Sequence, residues 1–124
     1  MSPRSSEFME GARERLRMAG IALEEGAPPV VISLAYYALL YAARAALSEE
    51  DRYAKTHSGT WHLFHETFVA TGRFDAGLHA AASGAQEQRE GSDYEARRFS
   101  TEEAAEMVAL AERFVAAVAH MFGD

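Results

Sequence analysis

The chain has no cysteine, so disulfides, thiolate metal sites and cysteine nucleophiles are all excluded, while the redox compartment stays undetermined. Positive charge is also scarce. Twelve Lys/Arg against nineteen Asp/Glu give a formal net charge of -7, and phosphate neutralisation over a broad surface needs basic residues that this composition lacks. Any RNA contact must therefore be local. Of the twelve basic residues only Lys55 is lysine; the rest are arginine, whose planar fork suits phosphate or carboxylate better than an ammonium does. No run reaches the eighteen uncharged apolar residues of a membrane span, because even Val30 to Leu47 contains Ser33, three tyrosines and Arg44. Met1 to Glu10 lacks the apolar core of a signal peptide, so a cytoplasmic protein with no membrane association is the expectation.

What is present is helical periodicity. At 124 residues and 48% hydrophobic composition, one core and a single domain over residues 1–124 are expected. Phe8, Ala12, Leu16, Ala19 and Leu23 recur at helical spacing within residues 6–25, and Gly26 ends that segment. Pro28 and Pro29 fit the first turn of a second helix running to about Ser48, apolar almost all round and therefore the central, most buried member. Residues 49–58 are charged and aperiodic. Thr56 or Ser58 then caps a third helix at about 59–70 with a core stripe of Trp61, Phe64 and Phe68, stopped at Thr71-Gly72. A weaker helix is expected from Asp75 to about Glu90 with Gly91 marking its end, followed by a polar connection over Ser92 to Phe99. Ser100-Thr-Glu-Glu103 is a capping box that opens the last helix, with Ala104, Met107, Val108, Ala111, Phe114, Val115, Val118 and Phe122 on one face. The fold class is all-α, an antiparallel up-down bundle of four or five helices.

Four groups of residues could carry chemistry. Ser33, Tyr37, Tyr41 and Arg44 fall on one stripe of the second helix, which either bonds within the bundle and to solvent or walls a ligand groove or dimer contact. His57, His62, His65 and Glu66 lie close in sequence, but no single cation reaches all of them from one helix, so neither a metal nor a cofactor is expected. Arg52 and His57, four residues between them, could hold a phosphate and polarise a 2′-hydroxyl, or simply be a solvated loop that caps the next helix. Arg89, Asp93, Tyr94, Arg97 and Arg98 form either a salt-bridged corner or a binding surface.

The segments 32–47 (ISLAYYALLYAARAAL), 55–74 (KTHSGTWHLFHETFVATGRF), 89–94 (REGSDY) and the capped last helix together resemble a prokaryotic subfamily of the HEPN (higher eukaryotes and prokaryotes nucleotide-binding) domain. The most specific pieces are Tyr36-Tyr37-Ala38, Lys55-Thr56-His57-Ser58-Gly59 and Arg89 with Asp93-Tyr94. The resemblance implies a two-fold homodimer, a nucleotide or RNA ligand and, for some members, a minimal nucleotidyltransferase partner in a toxin–antitoxin pair. Other members are metal-independent endoribonucleases with an arginine, four to six residues and a histidine late in the bundle. Here the residues at that spacing after Arg89 are Tyr94, Glu95 and Ala96, and Leu34 stands near where the resemblance implies an arginine. A phenol with a pKa near 10 does not replace an imidazole at neutral pH. The expected function is thus nucleotide or RNA binding, or pairing with a nucleotidyltransferase, through Ser33, Tyr37, Tyr41, Arg44, Lys55, His57, Arg89, Asp93, Tyr94 and Arg97. The alternatives are an endoribonuclease using Arg52 and His57 or a composite site, and a dimeric interaction module without catalysis.

Overall fold

The computed structural model describes residues 1–94 and 98–123, with the backbone alone over 91–94. Five helices follow one another in the order α1 Pro3–Glu24, α2 Pro28–Glu49, α3 His57–Phe64, α4 Ala76–Tyr94 and α5 Thr101–Met121, with a π-helical turn at His65–Val69 extending α3. No strand occurs among the described residues.

α1 begins three residues earlier than its apolar periodicity suggests, because Ser2 accepts from the Ser5 amide at 3.2 Å and Pro3 stands in the first turn. It ends at Gly26, whose φ of +75° is the left-handed conformation that glycine takes without steric cost. α2 packs against α1, α3, α4 and α5. Twelve of its residues are buried, among them six alanines that let neighbouring helices approach closely, together with Tyr36, Leu39 and Leu40. By length and hydropathy α2 would qualify to cross a membrane, yet 67% of its most apolar stretch is buried inside the bundle, as a central helix requires.

Thr56 caps α3 by accepting from the Gly59 amide at 2.9 Å, and Trp61, Phe64 and Phe68 are buried as their spacing predicts. The continuation is not regular α-helix to residue 70. Ala70 donates to the His65 carbonyl at 2.8 Å, an i to i+5 bond that widens the last turn before Gly72 reverses the chain at φ +78°. The widened turn sits in an aromatic cluster in which Phe64 lies 4.9 Å from both Phe68 and Phe74 and 5.4 Å from Phe114. His79 closes this cluster. Its ring stacks on Phe64 and its Nε2 lies 3.0 Å from the Trp61 carbonyl, while burial, opposed by that hydrogen bond, holds its pKa below the ordinary histidine value.

α4 corrects one expectation. Gly91 does not end it, and the helix runs on through residues 92 and 93 to Tyr94, so the connection to α5 is shorter than the sequence implies. A glycine stops a helix where the chain turns left-handed, as at Gly26 and Gly72; within a helix it costs only about 1 kcal/mol, which packing offsets. α5 follows its prediction. The capping box is complete, with the Glu103 amide donating to Ser100 Oγ at 3.0 Å and the Ser100 amide to Glu103 Oε1 at 3.1 Å. Ala104, Met107, Val108, Ala111, Phe114, Val115 and Val118 are buried, and Phe122 is partly so.

Candidate functional site

The polar stripe of α2 is half-buried rather than exposed, and its members take different partners. Tyr41 joins α1, its ring 6.1 Å from Phe8 and under the Arg15 guanidinium at 4.4 Å. Gly11 makes that possible, because a Cβ there would stand 2.9 Å from Tyr41 Cδ2. Tyr37 instead faces α4, where its hydroxyl accepts from Arg89 Nη2 at 3.0 Å. The Arg89 guanidinium also lies 5.2 Å from the Tyr37 ring centre and 5.9 Å from that of Tyr36.

His57 completes this arrangement. As the first residue of α3 it is fixed by the Thr56 cap, and its ring lies 5.7 Å from Tyr36 and 5.9 Å from Tyr37. One turn on, Trp61 donates through Nε1 to the Tyr36 hydroxyl at 3.3 Å, so both side chains of one α3 face grip the tyrosine pair. Burial pushes the Tyr36 phenol up, the Trp61 hydrogen bond opposing. His57 is pushed down, first by burial and then by the charges of Arg44 and Arg89, with Glu90 opposing. Its imidazole is therefore neutral at neutral pH and lies within the field of two guanidinium groups.

Arg44, two turns beyond Tyr37 on α2, supplies the second of these. Its Nη2 reaches the Lys55 carbonyl at 3.5 Å, its guanidinium lies 5.5 Å from the Tyr53 ring centre, and its buried Nε has no hydrogen-bond partner among the described residues. No carboxylate approaches Arg44 within 4.0 Å among the described residues. Arg44, His57, Tyr36, Tyr37 and Arg89, drawn from α2, α3 and α4, thus form a small cationic and aromatic cluster on a chain that is acidic overall. Such a cluster can hold a phosphate by charge and hydrogen bonding, with the neutral imidazole able to accept a proton.

The other residues singled out by sequence are scattered. Ser33 is half-buried one turn before Tyr37, and Lys55 is exposed beside the Arg44 contact. Arg52 is not in the cluster. Its Nη1 donates to Thr67 Oγ1 at 3.0 Å, and no contact among the described residues links it to His57. His62 pairs with Glu66 at 3.1 Å on an exposed face, and the His65 ring lies 5.4 Å from His79. No three His, Cys, Asp or Glu side chains converge among the described residues. The backbone of Asp93 and Tyr94 lies in α4, whereas their side chains, and Arg97 altogether, fall outside the described residues. Sequence reasoning did not name Tyr36 as a site residue, and it named Arg89 without its place beside His57. The i, i+4 spacing of His57 and Trp61 was a usable signal for the first; the second joins residues with no sequence periodicity in common.

Comparison with known proteins agrees with this architecture. The family model described as HEPN domain matches residues 5–121. A UPF0332 protein of Gloeobacter violaceus is 35% identical over 94 residues, covering 76% of this chain and 75% of that protein. The family match runs from Ser5, within α1, to the end of α5 and takes in every member of the cluster, and the chain belongs to the HEPN domain family.

Proposed function

We propose that this chain binds the phosphate of a nucleotide or of an RNA at the Arg44, His57, Tyr37 and Arg89 cluster. The observation that carries the reading is that the half-buried His57 ring and the Arg89 guanidinium both pack on the Tyr36–Tyr37 pair, while Arg44, whose charge also acts on His57, has an unpartnered buried Nε and no carboxylate within 4.0 Å among the described residues. A guanidinium left without an acid partner in a chain of net charge -7 is poised for an external anion. Family membership supports the ligand class, since the domain is generally associated with nucleotides and RNA. Calorimetric titration with AMP tests it: binding by the unmodified chain, weakened at least tenfold in Arg44→Ala and His57→Ala with helical circular dichroism retained, supports the site. Absence of AMP binding and of binding to short RNA overturns it.

The position of His57 also favours a second reading, a metal-independent endoribonuclease. His57 would take the proton of a ribose 2′-hydroxyl, that oxygen would attack the adjacent phosphorus, and the P–O5′ bond would break to leave a 2′,3′-cyclic phosphate. The 5′ oxygen leaves with a proton from solvent, while Arg44 and Arg89 hold the non-bridging oxygens. Cleavage of labelled RNA in EDTA that disappears in folded His57→Ala supports this; cleavage unchanged in that variant ends it. The wider role, a homodimer that pairs with a minimal nucleotidyltransferase in a toxin–antitoxin-like system, rests on the family resemblance. Light scattering and co-purification with a co-expressed nucleotidyltransferase test it.

A further inference from the structure

Beside the phosphate cluster lies a groove of about 440 Å³ lined by Ser2, Arg4, Ser48, Asp51, Arg52 and Tyr53, within the size range of roughly 300–1,000 Å³ that small-molecule sites occupy. Its wall is the Tyr53 ring, 51% exposed, with the Arg4 guanidinium 5.4 Å and the Arg44 guanidinium 5.5 Å from the ring centre. Arg44 is therefore shared. Its charge acts on His57, and its guanidinium lies against the Tyr53 ring that lines the groove, so this one side chain links the two neighbourhoods although it does not itself line the groove.

The charges around the groove are arranged for an anion. Neither Arg4 nor Arg52 has a carboxylate within 4.0 Å among the described residues. Of the three acids at this corner, Glu49 is turned to the start of α1, accepting from the Ser2 amide and the Ser5 hydroxyl, and Glu50 pairs with Arg73. Only Asp51 lines the groove, and it is exposed. An exposed aromatic ring bracketed by arginines is the pattern that seats one base and its phosphate in single-stranded nucleic-acid sites, where stacking holds the base and guanidinium groups hold the backbone.

We infer that this groove is a second nucleotide subsite, taking the neighbouring residue of a single-stranded RNA whose phosphate occupies the Arg44, His57 and Arg89 cluster. The inference rests on the phosphate site proposed above and deepens it, because the ligand becomes a strand of at least two nucleotides rather than a mononucleotide. Tyr53 stacks on the second base, and Arg4 and Arg52 meet its phosphate. A nucleoside triphosphate could place extra phosphates near the same arginines but would not use the Tyr53 ring.

Fluorescence and calorimetric titrations with AMP, ATP and a 5′-phosphorylated tetra-adenylate RNA decide the matter. The tetranucleotide is expected to bind more tightly than AMP, and Tyr53→Ala to weaken it on the order of tenfold while leaving AMP unchanged. Tyr53→Phe keeps the ring and should keep the affinity. Arg4→Ala should weaken the tetranucleotide, again without effect on AMP. Equal losses for AMP and RNA in Tyr53→Ala, or no loss for RNA, overturn the second subsite while leaving the phosphate site standing. A Tyr53→Ala effect on ATP as large as that on RNA overturns it in favour of a polyphosphate. Failure of both AMP and RNA to bind removes both proposals together.

Discussion

The Tyr37 hydroxyl and Arg89 Nη2 are joined at 3.0 Å across 52 residues of sequence, a bond that fixes α4 to the central helix at the point where His57 meets both tyrosines. The neighbouring Tyr36 hydroxyl is engaged differently, as the acceptor for a buried indole N–H at 3.3 Å. Two adjacent phenols therefore hold two different elements, and deleting each oxygen should have distinguishable effects.

Tyr36→Phe leaves the Trp61 Nε1 donor buried without an acceptor, and a buried unsatisfied donor costs about 1–3 kcal/mol. Tyr37→Phe removes a bond to a charged group, worth about 1.5–3 kcal/mol in general, but Arg89 is part-buried and retains other contacts, so water can replace the lost acceptor and the cost should fall at or below the bottom of that range. Urea unfolding should thus rank Tyr36→Phe below Tyr37→Phe in stability. AMP binding should rank them in the opposite order, since only Tyr37→Phe releases the guanidinium that helps form the phosphate site. The same rank in both measurements would mean that the pair acts on folding alone.

The protonation of His57 provides a second test. Its folded pKa is depressed, by burial first and by Arg44 and Arg89 next, against an unfolded value near 6.5. Between the two values the unfolded chain binds more protons than the folded one, so stability rises with pH through that window and is lost as the pH falls through about 6.5. His79, depressed mainly by burial, adds to the same slope. A bound phosphate acts in the opposite direction on His57 by favouring the imidazolium, so as the pH falls below about 6.5 the AMP affinity of the unmodified chain should rise relative to that of His57→Gln, by at most tenfold per unit; the comparison cancels the titration of the AMP phosphate, whose second pKa is about 6. In His57→Gln only the phosphate's own titration should remain, so that affinity falls as the pH drops through about 6, whereas a profile identical to that of the unmodified chain would place the protein's titrating group elsewhere.

The fold was legible in the sequence because its determinants are local. Ala104 to Val118 repeat at helical spacing, Ser100 and Glu103 stand three apart, and Gly26 and Gly72 sit where the chain must take a positive φ. Gly91 misled for the complementary reason: glycine type is visible in a sequence but φ is not, and only packing decides whether a helix tolerates it. The π-helical turn was hidden similarly, since it lies where Phe64 packs on Phe68, Phe74 and Phe114, contacts that reach as far as α5 and leave no local signal in the sequence. Of the site, the Tyr37 and Arg44 stripe could be read from a helical wheel. Its contact with Arg89 and His57 could not, because nothing local relates residue 89 to residue 57, and local spacing instead suggested Arg52, which bonds Thr67.

The Lys55 to Gly59 segment has a structural role that bears on the site. Thr56 accepts from the Gly59 amide at 2.9 Å, and a Cβ on Gly59 would stand 2.6 Å from Thr56 Oγ1. Thr56→Ala should lower stability by about 1 kcal/mol through loss of the cap, and Gly59→Ala should do likewise by forcing the threonine out of its rotamer. His57 is the first residue of the helix so capped. Both variants are therefore expected to weaken AMP binding more than Ser100→Ala, which removes a comparable cap at α5; equal affinities in all three would deny that the cap positions His57.

The two glycines of α1 separate helix propensity from packing. A methyl group added at Gly20 would meet nothing within 4 Å, so Gly20→Ala should stabilise the chain by up to about 1 kcal/mol, the ordinary helical advantage of alanine. The same substitution at Gly11 gains that advantage but drives a methyl to 2.9 Å from Tyr41 Cδ2 and 3.3 Å from Cε2. The Tyr41 ring has little room to retreat, since it is held edge-on to Tyr37 at 6.3 Å and lies beside Phe8 and under Arg15. Overpacking of this kind costs about 1–3 kcal/mol, which exceeds the propensity gain, so Gly11→Ala should destabilise while Gly20→Ala stabilises. Any shift of Tyr41 passes to Tyr37 and its Arg89 bond, and Gly11→Ala should therefore also weaken AMP binding. Paired urea titrations read the first effect. Stabilisation by both substitutions would show that α1 can move away from α2, and would contradict the close α1–α2 packing on which the tyrosine stripe depends.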